Sequence, residues 1–75
     1  MYLDELKLGQ SAVIEELCDQ LAAIKLLEMG CLPGEEVLMK LKAPFNDPIA
    51  IEIDGNLISL RKAEARRIRV KLIAK

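Results

Sequence analysis

Between residues 28 and 36 the spacing of apolar residues changes from the helical period to a strict alternation. The change falls on Glu28-Met29-Gly30-Cys31-Leu32-Pro33-Gly34. Gly30 follows the last apolar residue of the helical pattern, where a left-handed cap favours the residue without a β-carbon. Pro33 cannot extend a helix, and Pro33-Gly34 supplies a turn, with proline setting φ and glycine permitting φ > 0. A helix must therefore end here and a strand begin within a few residues. That junction constrains every arrangement the chain can adopt.

On either side the pattern assigns the remaining elements. Leu3, Leu6 and Leu8 anchor a lead-in that turns at Gly9. Ser11–Leu17, with its β-branched pair, reads as a first strand with Ala12 and Ile14 facing inward. Asp19 suits a helix N-cap. Leu21, Ile24 and Leu27, extended by Ala22, Leu26 and Met29, form a broad apolar stripe on a helix over residues 19–29, leaving Gln20, Lys25 and Glu28 wet. Val37, Met39, Leu41 and Ala43 then alternate with Glu36, Leu38, Lys40 and Lys42 in a half-buried second strand.

The loop Ala43-Pro44-Phe45-Asn46-Asp47-Pro48 leads to Ile49, Ile51 and Ile53, a third alternating run. Asp54-Gly55 is a two-residue hairpin signal, because both central positions need φ > 0. Ile58 and Leu60 continue inward on the return strand, with Leu57 and Ser59 on the other face. Arg61–Arg66 has room for a turn or two of helix. Ile68, Val70 and Leu72 then alternate with Arg67, Arg69 and Lys71 in a fifth strand. The predicted fold is mainly β: about five short strands in a small SH3-like barrel, with one α-helix inserted after the first strand.

At 75 residues the chain is expected to form a single domain, residues 1–75, with a core that must pack efficiently. With one Tyr, one Phe and no Trp, that core is aliphatic. Eleven basic against twelve acidic residues leave a net charge of −1, which provides no bulk field for nucleic acid or an anionic membrane. The longest uninterrupted apolar run is far below the ~20 residues that span a bilayer, and Asp4 and Glu5 interrupt any signal-peptide pattern. A cytoplasmic location without membrane insertion is expected, with both thiols reduced.

The chain contains no histidine, which removes histidine ligation and histidine acid–base chemistry. Cys18 and Cys31 lack the close spacing of zinc ligands and are the weak candidates for a metal. Cys31, beside Leu32, is expected to fill an apolar position. Glu15-Glu16 and Glu35-Glu36 are adjacent pairs that a regular strand points to opposite faces, while Glu52 and Asp54 form a solvated face. The basic residues Arg61, Lys62, Arg66, Arg67, Arg69 and Lys71 lack neighbouring aromatics for base stacking and suit a face paired with carboxylates. Gly30 and Gly34 end a helix rather than open one, so they do not form a phosphate loop. No catalytic set and no cofactor are expected.

Three blocks, Leu27-Glu28-Met29-Gly30-Cys31-Leu32-Pro33-Gly34, Ala43-Pro44-Phe45-Asn46-Asp47-Pro48 and Leu60-Arg61-Lys62-Ala63-Glu64-Ala65, occur in an order and spacing that resemble the FeoA family. Cys31 stands at a leucine-like position of that pattern, and Phe45-Asn46 stands where the family often has Leu-Gly. The resemblance implies an SH3-like barrel without enzyme activity. It also implies a role in ferrous iron uptake through contact with the cytosolic domains of a FeoB-type transporter. Alternatives are the related domain of metal-dependent repressors, whose DNA-binding domain is expected to be absent from a chain starting at Met1, and a small transition-metal-binding or sensing protein. A nucleic-acid binder using Arg61–Lys71 is a third. The docking surface is sought at Pro44, Phe45, Asn46 and Asp47 and on the wet side of the helix at Lys25 and Glu28. Phe45 either anchors a partner or folds back over the barrel mouth. An exposed strand edge, or Leu38 and Leu57, offers a route to self-association.

Overall fold

The computed structural model describes residues 1–18 and 20–73. After a 3₁₀ turn at Leu3–Glu5 come β1 (Ser11–Leu17), α1 (Gln20–Glu28), β2 (Glu36–Lys42) and a 3₁₀ turn at Pro44–Asn46. The chain then runs through β3 (Ile49–Ile53), β4 (Asn56–Leu60), α2 (Lys62–Ala65) and β5 (Ile68–Leu72). The strands form one antiparallel sheet in the order β4-β3-β2-β1-β5, and among the described residues no ladder joins β4 to β5. This is the mainly β fold, with a helix inserted after β1, that the alternation predicts. The Asp19 cap lies outside the described residues, as do the side chains of Gln20, Leu21, Ala22 and Asn46.

The junction after α1 forms as its glycines require. Gly30 has φ of +91°, its N–H donates to the Leu27 carbonyl (3.1 Å), and the Cys31 N–H donates to the Leu26 carbonyl (2.9 Å). This is a Schellman closure, and its flanking apolar pair, Leu26 and Cys31, is buried. Leu32–Glu35 follows as a turn with Gly34 at φ of +92°, closed by the Glu35 N–H on the Leu32 carbonyl (3.0 Å). Gly34 N–H then donates to the Ile14 carbonyl (2.8 Å), and Ile14 N–H to the Glu35 carbonyl (2.9 Å), stitching the turn to β1. At the other hairpin Asp54 and Gly55 take φ of +50° and +80°, as the two-residue turn demands.

The core is aliphatic: Ala12, Ile14, Val37, Met39, Ile49, Ile51, Ile53, Leu60, Ile68 and Val70 from the strands, closed by Leu3, Leu6, Leu26 and Cys31. Several expectations need correction. Alternation places Leu41 on the face of Val37 and Met39, but it is 59% exposed, because the β2–β3 register shifts between Met39 and Leu41 and the bulge reverses the alternation. A second shift between Ile14 and Glu16 turns both Glu15 and Glu16 to solvent and lets Leu17 pack on the core. Ile24 (62% exposed) and Leu27 face water, and among the described side chains of the predicted stripe Leu26 is the one fully buried. The helix is apolar on so much of its circumference that periodicity does not select a face. Leu8 and Leu72 are likewise exposed.

Gly30 has open space where a β-carbon would sit, so its substitution tests backbone conformation alone. Gly30→Ala should destabilise the fold by about 1–2 kcal/mol and Gly30→Asn by less, measured by chemical denaturation.

Candidate functional site

Helix α2 holds the polar side chains together. Arg61 precedes it in extended conformation, and Glu64 at the third helical position accepts from the Arg61 N–H through Oε1 (3.0 Å). That is the carboxylate half of a capping box, and it satisfies a donor that the helix itself leaves unpaired. The other oxygen, Oε2, lies 2.9 Å from Lys25 Nζ on α1. The Arg61 hydrogen bond, followed by that from Lys25, holds the Glu64 carboxyl below its ordinary value. At the N-terminal end of α2, Asp47 Oδ1 accepts from the Lys62 N–H (3.1 Å) and faces the Arg61 guanidinium at 3.8 Å.

Two of the predicted site residues, Lys25 and Asp47, are thus far apart in sequence but both bound to α2. Glu28 is exposed on α1, sharing a face with the exposed Ile24 and Leu27 at helical spacing. Pro44 and Phe45 stand at the apex of the loop before β3, with Asn46 completing its 3₁₀ turn. Phe45 is 94% exposed, which excludes the folded-back alternative. Its φ of +64° is left-handed, a conformation that costs a residue with a β-carbon about 1–2 kcal/mol. An aromatic ring held in water on a strained backbone contributes nothing to the core.

The two thiols do not share an environment. Cys31 is buried, and burial pushes its thiol up, with the Glu64 carboxylate adding to the effect, so it remains protonated at neutral pH. Cys18 is exposed, 3.9 Å from Glu16 Oε1. Glu35, Glu36, Glu52 and Asp54 line an open cleft of about 380 Å³. Among the described residues, however, no three Cys, Asp or Glu side chains converge to hold an ion. In the basic cluster, Arg69 pairs with Glu16 (2.7 Å) and Arg61 faces Asp47, as expected for a face paired with carboxylates. No described helix is long and apolar enough to cross a membrane.

The FeoA domain model matches residues 1–72. The chain belongs to the FeoA family. A Porphyromonas gingivalis protein described as an Fe(2+) transport protein A/Fe(2+) transporter FeoB fusion is 35% identical over 75 residues. The match takes in 99% of this chain but 9% of that relative's length. The solution structure of iron(II) transport protein A from Clostridium thermocellum superposes with a TM-score of 0.89 at 40% identity, over 97% of this chain and 46% of that one. Stenotrophomonas maltophilia FeoA, solved with zinc, is 37% identical with a TM-score of 0.83, over 95% of this chain and 89% of its own. It is described as a prokaryotic SH3 domain protein and a candidate ferrous iron transport activating factor. The SH3-like assignment of this FeoA-family chain therefore stands.

Sequence reasoning placed Glu64 only within a family block. Its position three residues after Arg61 was the available signal, since an acidic residue at the third helical position is half of a capping box even when the cap is not Ser or Thr. Because the Glu64 pKa is lower folded than unfolded, its stabilisation is complete above the ordinary value of 4.5 and is lost as pH falls through the folded value. Glu64→Gln should lower stability by about 0.3–1 kcal/mol at neutral pH and flatten the loss of stability below pH 4.5, followed by denaturation at stepped pH.

Proposed function

We propose that this chain is a non-catalytic accessory of ferrous iron uptake that works by docking on the cytosolic part of a FeoB-type transporter. The observation that supports it best is Phe45: a fully presented aromatic, on strained backbone, at the apex of a loop tied to α2 through Asp47. Aromatic side chains that enter a partner's pocket dominate the energy of many interfaces. The exposed apolar pair Ile24 and Leu27, flanked by Lys25 and Glu28, extends the same reading along α1. The FeoA–FeoB fusion in a relative supports the choice of partner, because covalent linkage keeps two modules at high effective concentration.

In this reading iron is the transporter's cargo, and the chain acts on the transporter rather than on the ion. Metal carriage is the second reading, favoured by the zinc held in the Stenotrophomonas maltophilia relative. Ferrous titration under anaerobic conditions separates them: thiol-dependent carriage requires binding that disappears in a Cys18→Ser, Cys31→Ser double variant.

Deletion of the gene should abolish most ferrous iron uptake, and complementation with Phe45→Ala should fail to restore it at unchanged melting temperature. Phe45→Gly should raise stability by about 0.5–1 kcal/mol through relief of the left-handed strain, while losing the same activity. Full complementation by both variants would remove Phe45 from the interface.

A further inference from the structure

On the reading of Phe45 as an anchor, we propose that the loop apex and α2 form one docking face for an acidic protein surface. Phe45 enters an apolar socket on that surface, and Lys62 and Arg66 meet carboxylates beside the socket. Asp47 joins the two parts of the face. Its Oδ1 accepts from the Lys62 N–H (3.1 Å) and lies 3.8 Å from the Arg61 guanidinium. Phe45 is two residues away along the chain, so its backbone stands within about 7 Å of that of Asp47. The exposed ring and the cations of α2 are therefore neighbours.

The fold does not neutralise these cations. Arg61, Lys62 and Arg66 are all exposed. Arg61 answers Asp47, but among the described residues neither Lys62 nor Arg66 pairs its side chain with a carboxylate. The two lie one helical turn apart, the Arg66 N–H donating to the Lys62 carbonyl (3.0 Å), so their side chains share one side of α2. Like charges at that spacing repel, and a carboxylate brought by a partner relieves the repulsion. Glu64, two residues after Lys62, points away from that side and is held by Lys25 (2.9 Å).

The distribution of charge selects an acidic partner. The chain as a whole carries −1, so the basic side of α2 is a local excess. Glu35, Glu36, Glu52 and Asp54 line their cleft at one end of the β2–β3 ladder, beside the hairpin turn. The proline loop joins the opposite end of that ladder, after Lys42 and before Ile49. One end of the molecule is thus acidic and the other basic and aromatic, and such a separation turns the basic end toward an acidic surface during approach. An anionic bilayer fits this face less well. It recruits through clusters of about four or more cations, whereas α2 offers two without a carboxylate partner and sets Asp47 beside the ring.

Titration of the full chain against a full-length FeoB-type transporter in uncharged detergent micelles, at stepped sodium chloride, tests the face. Phe45→Ala should lose binding at every salt concentration. Lys62→Glu and Arg66→Glu should each weaken binding about three-fold or more near ~20 mM salt, chiefly through slower association. The difference from wild type should close as salt rises toward about 0.5 M. Arg66→Glu does not touch Asp47, so it keeps the test decisive if Lys62→Glu disturbs the loop. Binding that needs Phe45 but is indifferent to both reversals and to salt would overturn the acidic surface and leave the anchor standing. Binding indifferent to Phe45→Ala, or no binding at all, would overturn the anchor and the acidic surface together. Retention on equimolar phosphatidylglycerol and phosphatidylcholine vesicles, lost in both reversals while transporter binding is unchanged by them, would assign the cations to lipid and overturn the proposal.

Discussion

The backbone of Ile14 is the joint on which the rest of the structure depends. Its N–H and C=O engage Glu35 and Gly34, so the reversal that ends α1 is held against the middle of β1. Both bonds come from the turn at Pro33-Gly34, which with Gly34 in the left-handed region brings two successive backbone groups alongside the strand. With the turn in place, the pairing of Val13 with Glu36 follows, and Ala12, Ile14, Val37 and Met39 all reach the same core. The Schellman closure one step earlier places Leu26 and Cys31 side by side under the sheet. Helix and strand are thus fixed relative to each other mainly by main-chain hydrogen bonds, and the small aliphatic core fills the space between.

Helix α2 has the complementary role on the surface. Glu64 joins it to α1, Asp47 joins it to the proline loop, and the field of Glu64 reaches the buried Cys31. Two of the three sequence blocks that mark the family therefore meet at a four-residue helix, and the charge of Glu64 reaches Cys31 of the third. Such a helix has no independent stability, so its ends depend on these side chains. The consequence for function is positional: the loop carrying Phe45 is held to the body at Asp47, leaving its apex to project into solvent.

The surface proposed for recognition is costly to keep exposed. The loop apex and α1 present side chains, and their cost is visible as exposed apolar area and one strained backbone position.

Much of the fold was legible in the sequence because its signals are local. Gly30, Pro33-Gly34 and Asp54-Gly55 encode backbone conformations that few other residues adopt, and alternation located all five strands. What tertiary structure decided were choices that local pattern leaves degenerate. The shifts at Glu15 and Lys40 come from the need to match neighbouring strands, and they turned Glu16 and Leu41 to solvent. The buried face of α1 was set by where the sheet lies, since an apolar arc as broad as that of α1 has no unique inward side. At the site, the sequence marked Phe45 as either anchor or cap. Only the folded chain, by fixing Asp47 on α2 and Phe45 at a left-handed φ, settled that the ring points to water. Conformation of single residues follows from their own sterics, whereas register and facing depend on partners that lie far away in sequence.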